Sequence, residues 1–435
     1  MTPHDGTVTL PERPNLLLAV AAQLRRKDPK ALVLNGSIIM LLSSTLVSLL
    51  NFVYNVVMAR MLGPSKFGHV TVSVTILMLA SAVTLSFQLV CAKFVARNQT
   101  PGAKARVYRT LLGKAWMLSL ALGGVVFASQ HRVAGYLHLP DSRLLAVLAI
   151  GIAAYVPLGV RRGAMQGLCS FRRLSVSFVV EAGTRLLTGM VLVMIGYGTL
   201  GAVGAISAAV LAAYFLIPIG PELRVKTEAG EPASFGEGIQ AIVFFVGQVI
   251  ISNVDIILVK HFFAPELAGL YAAVALVGRL LYFASWSVVS AMFPVTAAVK
   301  PQDENPKVIL MPLMVVLGLA VVFILTMSFF PHLIIHTIFG VEFHQGEPLL
   351  ALYAAATGIY SLSVVIMAYE MSRRIANTGW LQLVFSGVLI VAISVFHNTL
   401  RQVITVQIIM MALMLGLVLF PFLRRYKLAP GGEAA

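Results

Sequence analysis

A chain of 435 residues that is 59% apolar and only 11% charged, with a mean hydropathy of +0.90, lies outside the roughly 45–50% apolar share of soluble domains. A net charge of +15 and a pI near 10.0 would suit a nucleic-acid binder, but the basic residues are dispersed between apolar runs along the whole chain, which excludes that partner. A β-barrel is excluded as well, because it would show alternating segments of about ten residues.

Residues 1–31 read as a cytoplasmic tail. They carry Pro11, Pro14, Arg25, Arg26, Lys27 and Lys30, and the apolar piece from Leu16 to Ala22 is too short to span and precedes the charges, unlike a signal peptide. Twelve apolar runs follow, at 33–57, 70–92, 111–129, 144–160, 174–197, 199–219, 238–259, 267–295, 308–330, 348–371, 377–396 and 402–423. As helices these can cross a hydrocarbon core of ~30 Å while satisfying their own backbone groups. Gly63-Pro64, Pro101-Gly102, Pro140, Gly220-Pro221, Pro265, Pro301, Pro306 and Pro331 punctuate the breaks, and the pair meeting at Gly196 must turn within a few residues. The predicted organisation is a six-helix bundle over 32–221, a cytoplasmic linker over 222–236, a second six-helix bundle over 237–424 and a cytoplasmic tail over 425–435.

Basic residues resist translocation and so give direction. With the N-terminus inside, 24 of the 32 Lys and Arg fall in cytoplasmic segments, while Arg60, Lys66, Arg132, Arg143, Lys260 and Arg401 fall outside and Arg185 and Arg279 lie within spans. Both termini are then cytoplasmic. Cys91 and Cys169 sit near helix ends without metal or redox spacing and read as small packing residues, so no metal or cofactor is expected.

The chain repeats itself once. MARMLGPSKFGHV from Met58 and VKHFFAPELAGLYA from Val259 place Pro64 on Pro265 and Gly68 on Gly269, both 201 residues apart. Each copy joins the first two helices of a half, and an even number of helices per half gives two parallel repeats around a central cavity. The fold class expected is therefore all-α, polytopic, with about twelve transmembrane helices in two six-helix repeats.

The stretch ARMLGPSKFGHV, with Arg60, Leu62, Gly63, Pro64, Phe67 and Gly68, resembles the hallmark of the polysaccharide transport family. The second half is similar to that family's later pattern through Asp255, Pro265, Gly269, Tyr271 and the pair Phe293-Pro294, and departs from it at Ala264 and Ala268. The resemblance runs from about residue 33 to 425. It implies a flippase of the multidrug, oligosaccharidyl-lipid and polysaccharide exporter superfamily, similar to Wzx-type O-antigen translocases. Such a protein moves a polyprenyl-diphosphate-linked oligosaccharide from the inner to the outer leaflet of the bacterial inner membrane by alternating access. Its implied partners are the lipid-linked glycan, the bilayer and polysaccharide assembly proteins, with no nucleic acid.

Ionisable groups at membrane depth cost a few kcal/mol each on insertion scales, so they face a cavity or a partner. Glu181 and Arg185, four apart, share a helix face and can pair; Glu370, beside Arg373 and Arg374, reads as an interfacial charge; Arg279 has no partner nearby in sequence. Ser44, Ser48, Asn51 and Asn55 form one polar face of the first span, and Gln248, Ser252 and Asp255 repeat it in the seventh. These stripes either line the cavity or act as interhelical glue. A diphosphate needs cationic donors, for which Arg279 and Arg185 are the candidates within the bundle and Arg60 and Lys260 at the outer mouth.

A glycan polymerase or ligase would need a sizeable external loop, whereas the longest outer loops, near 130–143 and 331–347, hold about fifteen residues. His332, His336 and His344 in the second read as solvated, and no phosphate-binding Gly-rich loop occurs, so an enzyme is not expected. A cation-coupled multidrug exporter shares the duplicated plan, and the Gly-Pro-x-x-Phe-Gly motif is what favours the polysaccharide branch. A lipid II flippase would usually carry additional helices.

Overall fold

The computed structural model describes residues 29–234, 236, 239–298, 309–373 and 378–428. The tail up to residue 28, Lys300, Lys307, Arg374 and residues 429–435 lie outside the described residues, as do the side chains of Phe293 and Pro294. The described residues contain helices and turns and no strand.

Helix α1 runs over Pro29–Arg97 and contains two spans, broken at Gly63, whose φ of 71° and ψ of 173° leave helical space. Only glycine enters that region freely, and Pro64 restarts the helix because its fixed φ suits a first turn. The Thr100 hydroxyl accepts from the Ala103 amide to start α2, Pro101–Ala128. Next come the short α3, Gln130–Tyr136, then α4, Arg143–Gly167, and α5, Phe171–Leu192. A wide turn over Val193–Tyr197, with Gly196 at φ 99°, leads into α6, Gly198–Leu216.

The second half begins with α7, Ile239–Ile251, and α8, Val254–Phe262, which together make one broken span. It continues through α9, Pro265–Ala298, α10, Leu310–Phe329, and the short α11, Pro331–Ile338. A tight helical turn over Val341–Leu349 precedes α12, Leu350–Arg373, then α13, Thr378–Val395, and α14, Leu400–Leu428. Nine helical runs among the described residues are long and apolar enough to cross a membrane. Two of them, Ile39–Arg97 and Phe171–Leu216, hold two spans each, and Gly379–Val395 is a shorter apolar helix, so twelve spans result. Their flanks are apolar: Met311 is 76% exposed and Phe329 73%, surface that lipid covers.

The duplication reaches beyond the loop motif. The short helices α3 and α11 each follow the third span of a half, and Gln130 and Pro331, their first residues, are again 201 apart. Both had the appearance of loops in the sequence, because seven or eight residues fall well short of a span.

The halves meet along α1, which packs on α7, α8 and α9. At Gly68 and Gly269 the backbones of the two halves touch. A Cβ on Gly68 would stand 3.0 Å from the Gly269 nitrogen and 3.2 Å from the Pro265 oxygen, and a Cβ on Gly269 would overlap the Pro64 carbonyl. Phe67, fully buried, meets Phe343 edge to face at 6.1 Å.

The connection between the halves lies along the first of them at the opposite end. Arg97 pairs with Glu231 at 3.0 Å, Thr100 donates to Glu228 at 2.6 Å, Arg109 donates to the Val225 carbonyl and Arg173 reaches Glu222 at 3.5 Å. The two cysteines differ from their expected common role. Cys91 is buried packing, but Cys169 is exposed at φ 53° in the turn that ends α4.

Candidate functional site

A cavity of about 510 Å³ lies between the halves, within the range of roughly 300–1,000 Å³ typical of ligand sites. Both halves build its wall: Ser48, Asn51, Asn55, Thr71 and Thr75 from α1 and Arg185 from α5, against Ser252, Asn253 and Asp255 at the α7–α8 break, Arg279 from α9, Tyr353, Thr357 and Tyr360 from α12 and Gln407 from α14.

The α7–α8 break has a physical use. With helix hydrogen bonding interrupted at Ser252 and Asn253, the Ser252 carbonyl is released and accepts from Arg279 at 2.7 Å. The break also puts Asp255 in the first turn of α8, where the helix dipole favours a carboxylate. Oδ2 of Asp255 accepts from the hydroxyls of Tyr271, at 2.8 Å, and Tyr353, at 2.9 Å, while Gln407 donates to the Tyr271 oxygen. Oδ1 stands 3.7 Å from Arg279, a loose pairing. Arg279, unpartnered in the sequence, thus finds a carboxylate on another helix.

The first half holds its arginine differently. Glu181 takes Arg185 on one oxygen and Arg162 on the other, each at 2.7 Å. Arg162 also donates to the hydroxyl and carbonyl of Ser177 and lies 4.0 Å over the Phe178 ring. Arg185 reaches forward to the Asn51 oxygen at 3.1 Å. Two guanidiniums on one carboxylate leave a formal charge of about +1 in this wall, whereas Asp255 and Arg279 cancel formally. Arg185 Nε, Arg279 Nε and Asp255 Oδ1 are buried with no hydrogen-bond partner among the described residues.

Of the residues singled out from sequence, Asn51, Asn55, Arg185, Ser252, Asp255 and Arg279 come together around the cavity. Gln248, Arg60 and Lys260 do not line it. Gln248 donates to the Tyr282 hydroxyl behind the wall. Arg60 donates to the carbonyls of Thr337 and Ile338 at the end of α11, and Lys260 is 1% exposed beneath the closed end, its Nζ without a hydrogen-bond partner among the described residues. Ser44 is exposed and bonds to its own helix at Leu41. Glu370, expected at an interface, is buried.

Arg161 and Arg162 had the appearance of loop residues, yet both are buried inside α4; the wall residues Thr71, Thr75, Tyr353, Thr357, Tyr360 and Gln407 were unmarked in the sequence, as was Arg162, which reaches the site through Glu181. The available signal was a lone Glu181 four residues from one arginine, with room for a second. The three outer histidines are exposed, and His332 lies 2.9 Å from Glu347; among the described residues no group of three or more potential ligands could hold a metal ion.

Twelve spans in two repeats enclose an arginine-bearing chamber, and together with the family match given below this marks a membrane transporter of the multidrug, oligosaccharidyl-lipid and polysaccharide exporter superfamily; solved structures share the fold. An inward-facing multidrug resistance MATE transporter matches at TM-score 0.69 and 13% identity, covering 90% of this chain and 99% of its own. The lipid II flippase MurJ, in an inward closed conformation, matches at TM-score 0.71 and 12% identity, over 90% of this chain and 87% of its own. A transporter of the superfamily from Pyrococcus furiosus matches at 0.60 and 16%, over 93% and 97%. A search of curated proteins finds no match. The chain belongs to the family described as Polysaccharide biosynthesis protein, which it matches over residues 33–300.

Proposed function

We infer that the protein is a flippase for a polyprenyl-diphosphate-linked oligosaccharide, moving it across the bacterial inner membrane by alternating access for surface polysaccharide synthesis. The observation that carries this reading is the chamber itself: a largely apolar wall, suited to a lipid, that carries Arg185, Arg279 and Asp255 together with asparagine, serine, threonine and tyrosine side chains. A diphosphate headgroup leaving water needs fixed cations, and guanidiniums supply paired donors. Asparagine, serine, threonine and tyrosine suit sugar hydroxyls. The family match supports the glycan class. A cationic drug is disfavoured, because Asp255, the one carboxylate among the described residues that line the cavity, already accepts from two tyrosines and faces Arg279.

The charge split orients the molecule, with both termini cytoplasmic, the linker and the Arg97–Glu231 pair on the inner side and α3 and α11 outside. The chamber is then closed outward by the Gly68–Gly269 contact. Deleting the gene and measuring lipid-linked glycan in each leaflet tests the function: accumulation in the cytoplasmic leaflet supports it, and an unchanged distribution removes it.

A further inference from the structure

The 201-residue offset that relates Pro64 to Pro265 also relates Arg60 to His261, and it relates Tyr136, the last residue of α3, to Thr337 near the end of α11. In the folded chain these equivalent residues meet across the two halves. Arg60 of the first half donates through Nε to the Ile338 carbonyl at 2.8 Å and through its second nitrogen to the Thr337 carbonyl. His261 of the second half places Nδ1 2.7 Å from the Tyr136 carbonyl, its ring stacked on the Tyr136 ring at 3.7 Å and 10°. One contact is therefore made twice: a basic side chain near the start of the loop motif of one half caps the C-terminal end of the short helix of the other.

Helix C-termini leave carbonyls unsatisfied and carry the negative end of the dipole, so a cation is the fitting cap. The amides following α3 turn back to Val133, Ala134 and Gly135, which leaves the Tyr136 carbonyl to His261. We propose that Arg60 and His261 are the two halves of a duplicated latch that holds the outer end of the transporter shut, and that His261 makes one half respond to the pH outside. The latch rests on the alternating-access reading but not on the identity of the substrate.

The two halves of the latch differ chemically. A guanidinium donates at any physiological pH, whereas a neutral imidazole donates through Nδ1 in only one of its two tautomers, the other turning a lone pair toward the carbonyl. Proton uptake makes both ring nitrogens donors, adds charge to the hydrogen bond and places a cation over the Tyr136 ring. Acid outside therefore tightens the latch.

The neighbouring groups that oppose this are weaker. His138, from the segment after α3, is exposed with its ring 6.0 Å away, where water screens a second charge. His397, from the α13–α14 turn, stacks on Phe262 rather than on His261. Lys260 is the preceding residue of α8 and points to a different side of it, toward His69 of α1 and Glu266 of α9.

The test uses purified full-length protein with Cys169→Ser and spin labels at Arg132→Cys and Arg401→Cys, exposed positions in opposite halves, and reads the inter-label distance by pulsed electron resonance. No substrate is required, so this result is separable from any failure of the flippase assignment. The closed-to-open ratio is expected to rise about fivefold from pH 8 to pH 5.5, the ordinary gain when a hydrogen bond becomes charge-assisted. His261→Arg should give a closed population that no longer varies with pH, and His261→Ala and Arg60→Ala a smaller one. A ratio independent of pH in the parent overturns the proposal, as does a pH response that persists in His261→Arg, which would assign the titration to His138 or His397.

Discussion

Replacing Gly269 by alanine probes the closed end directly. The new Cβ would overlap the Pro64 carbonyl oxygen and stand 3.0 Å from the Pro64 Cα, against the 3.5–4.0 Å that carbon pairs prefer. Both atoms are backbone, so no rotamer change relieves the clash and the halves must part. Overpacking of this kind costs about 1–3 kcal/mol, which lowers the closed-to-open ratio by roughly 5–150-fold. Gly68→Ala is the internal control, since its Cβ would have 3.0 Å to the Gly269 nitrogen and needs its neighbours to move by only a few tenths of an ångström. The assay is labelling of Thr71→Cys, in the cavity wall, by a membrane-impermeant maleimide from outside in the Cys169→Ser background. Labelling should be fast in Gly269→Ala, intermediate in Gly68→Ala and slow in the parent, with transport falling in the same order. The melting temperature should change little, because the contact joins two halves that each keep their own core. If Gly269→Ala labels no faster than the parent and transports normally, the reasoning about closure is wrong.

Three further outcomes follow from the site. Arg279→Ala should abolish export with membrane insertion intact, and Arg279→Lys should restore it only partly, since a lysine keeps the charge but not the planar guanidinium that can give a diphosphate paired donors; glycan export against membrane-fraction abundance checks this. Glu181→Gln leaves Arg162 and Arg185 buried without their shared counter-charge and should destabilise the protein by about 3–5 kcal/mol in thermal or denaturant unfolding. Glu222→Gln, at the exposed pair with Arg173, should cost no more than about 1 kcal/mol in the same measurement.

The spans, their breaks and the repeat were legible because hydropathy, proline and glycine act locally. A run of twenty apolar residues needs no partner to be recognised, and Pro64 and Pro265 announce the same turn twice. What sequence could not supply was partnership across helices. Arg279 seemed alone because Asp255 is 24 positions away on another element, and the Arg162 contact to Glu181 depends on how α4 packs against α5. The hydropathy profile also ended the fourth span too early, since a guanidinium counts against a span whether or not a buried carboxylate balances it. Arg60 and Lys260 were expected to meet ligand, and only the packing of α3 and α11 shows Arg60 engaged with backbone and Lys260 enclosed.

On the proposed function, the arginine-bearing chamber carries an anionic lipid headgroup from one leaflet to the other. Lipid-linked glycan extracted from cells lacking the protein can be placed in proteoliposomes and its leaflet of residence read with membrane-impermeant periodate. Vesicles containing the parent protein should expose glycan from the inner leaflet to the oxidant with time, and vesicles containing Arg279→Ala should not. Equal, slow exposure in parent and empty vesicles would contradict the account.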